Sequence, residues 1–126
     1  MSISLENIKK MAGLPFFFSL SGPAMTESEK RMLTETNPSG MIYFKRNVES
    51  LDSLKKLINS TNCIESIKFH AIDEEGGRVR RLPDGPYSLP PMSELAQMGI
   101  EEAARRIGML GNTLKSSGIN MNMAPN

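Results

Sequence analysis

The chain has 126 residues, 39% of them hydrophobic and 23% charged, with a formal net charge of +1. That is enough for one modest domain with its own core. The charge balance gives neither nucleic acid nor an anionic membrane surface a reason to bind. A single cysteine, Cys63, and a single histidine, His70, exclude an internal disulfide and a zinc site built from Cys and His. An unpaired thiol fits a reducing compartment.

Near the start, Lys9 and Lys10 precede "MAGLPFFFSLSGPA", which loosely mimics a secretory signal. The apolar part is short, is broken by Gly13 and Pro15, and falls far below the about 20 residues of a membrane span. Residues 16–20 are therefore read as a buried first strand. "TESEKRML" follows, with Thr26 and Glu29 at the spacing of a helix capping box, in which each side chain bonds the other's free backbone N–H. Asn37, Pro38, Ser39 and Gly40 form the turn that ends this helix. A second strand spans residues 41–44. "SLDSLKKLIN" then places Leu51, Leu54, Leu57 and Ile58 on one helical face. A third strand covers 67–72. After a long connection over 74–91, rich in Gly, Pro and Arg, comes "EEAARRIGMLGNTLKSSG". In it Ala103, Ile107, Leu110 and Leu114 form a stripe, and Gly118 stands where a C-terminal cap belongs. A fourth strand covers 119–123.

None of the four strands shows clean polar alternation, which predicts burial on both faces, as in a parallel sheet. Strands alternating with helices predict an α/β protein with right-handed crossovers, organised as one domain over residues 1–126 without repeat or linker. In such folds ligand chemistry gathers at the C-terminal ends of the strands, which is where the 74–91 connection begins.

The most unusual stretch is "AIDEEGGRVRRL", residues 71–82. Asp73 closes an apolar run and is expected at the mouth of the sheet. Gly76 and Gly77 permit a sharp turn or close approach to a ligand. Arg78, Arg80 and Arg81 can neutralise the acids or hold ligand oxygens. A carboxylate accepts hydrogen bonds from hydroxyls and a guanidinium donates to oxygens, a combination suited to polyhydroxylated ligands. "DEEGG" lacks the alternating oxygen ligands of a calcium loop. "RVRR" resembles a basic processing site, but nothing else in the sequence points to secretion. Three acids beside the arginines weaken a nucleic-acid patch. On the residues alone, an Asp–Arg network that merely pins the loop stands as an equal alternative.

This stretch, followed by "LPPM" at 89–92, resembles the third-strand signature of glycoside hydrolase family 3, closest to its β-N-acetylhexosaminidase branch. "SGPAMTESEK", "GMIYFKRNVES" and "GINMNMAPN" agree with that family in order, so the resemblance covers essentially the whole chain. The departures are Glu74, where the family often has Gln, and Asn126, where it often has Val. The resemblance implies a (β/α)₈ TIM-type barrel that hydrolyses terminal β-linked N-acetylglucosamine with retention, without metal or organic cofactor. In bacteria the role implied is cytoplasmic removal of that sugar from cell-wall muropeptides during peptidoglycan recycling. By position, Asp73 matches an aspartate that binds sugar hydroxyls and Arg81 an arginine that holds the same sugar. Glu75, Gly76, Gly77 and Arg78 match residues that support the motif.

Retaining hydrolysis needs a nucleophile and an acid/base on either side of the glycosidic bond. In this branch these are an aspartate and a histidine, and both follow the Ala-Pro strand that ends this sequence. No catalytic residue is therefore expected within the chain. His70 matches no catalytic position and is expected as a packed strand residue. Adjacent acids such as Glu74 and Glu75 cannot flank a bond from both sides. A complete barrel takes about 250 residues and eight strands, so the sequence is expected to hold the first four β/α units. It would then carry part of a sugar site and pair with a C-terminal half-barrel or with a second copy, or be a truncated remnant. The contrasting expectation is a non-catalytic carbohydrate-binding or half-barrel assembly module. Nucleic acid, membrane and metal are not expected as partners.

Overall fold

Hydrogen bonds between short apolar runs set the frame of the computed structural model, which describes residues 4–124. The elements in order are α1 (Leu5–Ala12), β1 (Phe17–Phe18), α2 (Glu27–Thr36), β2 (Gly40–Tyr43), a 3₁₀ turn (Lys45–Asn47), α3 (Leu51–Thr61), β3 (Phe69–Ile72), α4 (Met92–Gln97), α5 (Ile100–Ser117) and β4 (Met121–Asn122). The four strands form one sheet in the order β1-β2-β3-β4, and every pairing is parallel. This is the α/β alternation expected from the sequence, in the form of a partial barrel.

Local signals account for the helices. Thr26 and Glu29 make the complete capping box at the start of α2. Ser50 caps α3 by accepting from the Ser53 amide. Asn37 ends α2 at φ 54°, and Gly118 ends α5 at φ 95°. Alternation along the strands then separates two faces. Met41, Tyr43, His70 and Ile72 turn toward the helices and are buried there, with Tyr43 beside Thr61 of α3. Leu33, Leu54, Leu57, Ile58, Leu110 and Leu114 close this core from the helix side. Each such side chain contributes about 1.5–3 kcal/mol by leaving water.

The opposite face carries Phe17, Gly40, Ile42, Phe69, Ala71 and Met121. Phe17 and Phe69, at the same level of the sheet, stack with centroids 5.9 Å apart. Gly40 lies between them in register, and a β-carbon there would come within 2.6 Å of the Phe17 ring. An odd-strand pair of large side chains over a small residue is the layering of a barrel interior. This face is only partly covered: Phe69 is 42% and Met123 47% exposed.

Three expectations need correction. Burial on both faces holds for the centre of the sheet, but both Phe residues of β1 are only half-buried and Asn122 of β4 is exposed, because β1 and β4 are the edge strands, each with a neighbour on one side only. The outer strands are shorter than expected, two residues each. The segment before β1, for which no helix is expected from the sequence, forms α1, capped by Ser4, whose hydroxyl accepts from the Asn7 amide at 3.2 Å. The α5 stripe is also narrower than expected, since Ile107 is 50% exposed while Leu110 and Leu114 are buried. Leu54→Ala is therefore expected to lower unfolding stability by about 3 kcal/mol. Ile107→Ala should shift it by less than about 0.5 kcal/mol. Urea unfolding of the two variants checks both, and equal losses would contradict the assigned core.

Candidate functional site

Four parallel strands present their C-terminal ends along one edge, and there the loops are tied down by buried polar groups. Asn47, fully buried, donates through Nδ2 to the carbonyls of Leu20 at 2.9 Å and Gly22 at 2.8 Å. Its Oδ1 accepts from the Phe44 amide at 2.9 Å, so the loops after β1 and β2 are locked together. Glu29 fastens the same β1 loop to α2 by accepting from the backbone and hydroxyl groups of Ser21 and Thr26. Burial pushes the Glu29 carboxyl up, but those hydrogen bonds outweigh it and bring its pKa down to about 2.

At the end of β3, Asp73 faces Arg81 across the turn, with Oδ2 and the guanidinium 3.3 Å apart and both side chains about one-quarter exposed. The Arg81 and Arg46 guanidiniums share the Phe44 ring, at 5.7 and 4.9 Å from its centroid. Arg46 is anchored to the carbonyl of Leu20 and the hydroxyl of Ser19. Arg81 Nε is buried and meets no protein acceptor, so the guanidinium has hydrogen-bonding capacity to spare.

The rest of the motif shapes the turn. The amides of Glu75 and Gly76 both donate to the Val79 carbonyl, and the Gly77 amide donates to that of Leu89. Gly76 has φ +94°, and a β-carbon there would lie 2.5 Å from the Pro90 carbonyl oxygen, so only glycine fits. Arg78 is exposed, and Arg80 pairs with exposed Asp84. The turn thus gathers Asp73 and Arg81 while Arg78 and Arg80 point elsewhere.

His70 lies on the helix side of β3, 8% exposed, with Nδ1 3.0 Å from the Tyr43 hydroxyl. It is the packed strand residue expected and does not reach the Asp73 edge. Among the described residues no group of three or more His, Cys, Asp or Glu side chains is arranged to hold a metal ion. No helix among them is long and apolar enough to cross a membrane.

Phe44, Asn47, Glu74 and Asn122 shape the site without having been assigned a role from sequence. Glu74, 3% exposed, accepts through Oε2 from the amides of Arg81 at 2.7 Å and Leu82 at 2.9 Å. Asn122 of β4 brackets the Glu74 backbone, accepting from its amide and donating to its carbonyl, each at 3.0 Å. No local sequence signal marks these residues, because their contacts join segments far apart in the chain.

Residues 4–126 match the glycosyl hydrolase family 3 N-terminal domain. The chain belongs to this family. A β-hexosaminidase of Thioalkalivibrio sulfidiphilus is 33% identical over 119 residues, which covers 88% of this chain and 34% of that protein. The family 3 β-N-acetylglucosaminidase of a Paenibacillus species superposes with a TM-score of 0.82 at 30% identity, over 98% of this chain and 24% of the other. NagZ of Neisseria gonorrhoeae superposes at 0.79 and 29% identity, over 89% of this chain and 35% of that one, and has a solved complex with N-trifluoroacetyl-D-glucosamine. The chain spans about a third of the length of the curated relatives it matches.

In this family 3 chain, burial pushes the His70 imidazole below its ordinary value of 6.5. The unfolded chain therefore binds more protons than the folded one between the folded and ordinary values. Stability should be full above about pH 6.5 and decline as pH falls below it. NMR titration of the single imidazole checks this, and a midpoint at or above 6.5 contradicts it.

Proposed function

We propose that the chain supplies part of the sugar-recognition edge of a retaining β-N-acetylhexosaminidase, with Asp73 accepting from hydroxyls of a terminal N-acetylglucosamine and Arg81 donating to oxygens of the same ring. The observation that carries this reading is the Asp73–Arg81 pair at the C-terminal end of β3, with both side chains still about one-quarter exposed. Glu75, Gly76, Gly77 and Arg78 belong to the turn that presents the pair. The names of the relatives support the substrate class. The biological substrate proposed is a cell-wall muropeptide handled in the cytoplasm, with no metal or organic cofactor.

The chain alone binds but does not hydrolyse in this reading. Its single histidine is packed under Tyr43, and Glu74 is committed to two backbone amides, so neither is available as an acid/base at the edge. The nucleophile and acid/base belong to the complementary part of the barrel, and residues 1–126 act as one domain-half. A second reading draws on the partly exposed inner face. There the chain is a half-barrel assembly module, non-catalytic in itself, that pairs with a C-terminal half-barrel or another copy.

Calorimetry with N-acetylglucosamine and a chromogenic N-acetylglucosaminide test the first reading. Binding that falls at least tenfold in Asp73→Ala, without turnover by the pure chain, is expected; turnover, or binding indifferent to Asp73, would contradict it.

A further inference from the structure

We propose that Glu74 is the positioning residue for Arg81, acting through the backbone rather than through the ligand. This rests on the reading of Asp73 and Arg81 as the sugar-binding pair and names what sets their spacing. One oxygen of a nearly fully buried carboxylate accepts from two successive amides, Arg81 at 2.7 Å and Leu82 at 2.9 Å. Those bonds fold the 73–82 segment back on itself, so that residues eight apart in sequence meet as an ion pair. Glu74 is itself fixed from outside the loop, because the Asn122 side chain holds both its amide and its carbonyl. The chain of restraint therefore runs from β4 through Asn122 to Glu74, and from Glu74 to the Arg81 backbone and its guanidinium beside Asp73 and the Phe44 ring.

The required chemistry is an acceptor in a buried place, not a negative charge. A neutral amide oxygen at the same position can accept both N–H groups, whereas a side chain of equal length without an acceptor leaves the buried Leu82 amide and the part-buried Arg81 amide unpaired. The proposal thus separates Glu74→Gln from Glu74→Met.

The test is the Arg81 Nε–Hε cross-peak in ¹⁵N NMR spectra of the full chain, assigned by its loss in Arg81→Lys. In the wild type the buried Nε and nearby Phe44 ring should give a resolved, ring-shifted and slowly exchanging signal. Glu74→Gln should retain it. Glu74→Met should collapse it to the shift and fast exchange of a solvent-exposed arginine while the Tyr43 and His70 resonances stay in place. N-acetylglucosamine affinity should follow the same order, within about twofold for Gln and down tenfold or more for Met, and Glu74→Met should add nothing to the loss caused by Arg81→Ala. An unchanged Arg81 signal in Glu74→Met would overturn the proposal. If the signal collapses as expected but the wild type binds no sugar, the positioning role stands and the sugar reading fails. Should Glu74→Met not fold, hydrogen exchange of the wild type decides: Arg81 and Leu82 amides protected well beyond that of exposed Arg78 support the proposal, and equal exchange overturns it.

Discussion

Parallel pairing of β2 with β3 is the constraint on which the rest of the molecule depends. Two strands that run the same way must be joined by a crossover, and here α3 supplies it. Repeating that step with β1 and β4 sends every strand's C-terminal end to one edge. Ser19, Phe44, Asp73 and Asn122 meet there although they are spread over most of the chain. The opposite edge carries Phe17 and Phe69 in an interior-type layer, so packing and chemistry are separated along the strands.

An edge made of loops holds a geometry only if its backbone groups are satisfied. Asn47 and Glu74 do this from buried positions, and Asn122 does it from β4, each making two or more hydrogen bonds to main-chain atoms. Leaving one such buried group unpaired costs about 1–3 kcal/mol, which keeps these ties made. That distinguishes Asp73–Arg81 from Lys10–Glu6, an exposed pair on α1 free to open into water. The Asp73–Arg81 pair is held from behind by its own backbone and from the side by an aromatic ring.

The order of strands and helices was legible because short apolar runs and helical spacing survive without tertiary help. The capping box at Thr26 and the left-handed end at Gly118 were local signals and proved right. Strand length was less legible, since residues 16–20 read as one largely apolar run whether or not a layer covers both faces. α1 was missed although Ser4, Leu5 and Ile8 carry a cap and spacing, because eight residues give little periodicity and none of its side chains is buried. Ile107 looked like core because its spacing fits the stripe, but spacing cannot say which side of α5 meets another element. At the site, the third-strand motif drew attention to Asp73 and Arg81. Asn47, Glu74 and Asn122 were silent because their roles are backbone hydrogen bonds made across long loops, which only the folded chain reveals.

The most direct test of the central claim is an NMR titration of the chain with N-acetylglucosamine, followed at assigned backbone amides. Saturable shifts should concentrate at Asp73, Arg81 and Phe44, leave the α5 surface unmoved, and vanish in Asp73→Ala. Absence of saturable shifts at that edge, or shifts that survive Asp73→Ala, would contradict the assignment of a sugar site to these residues.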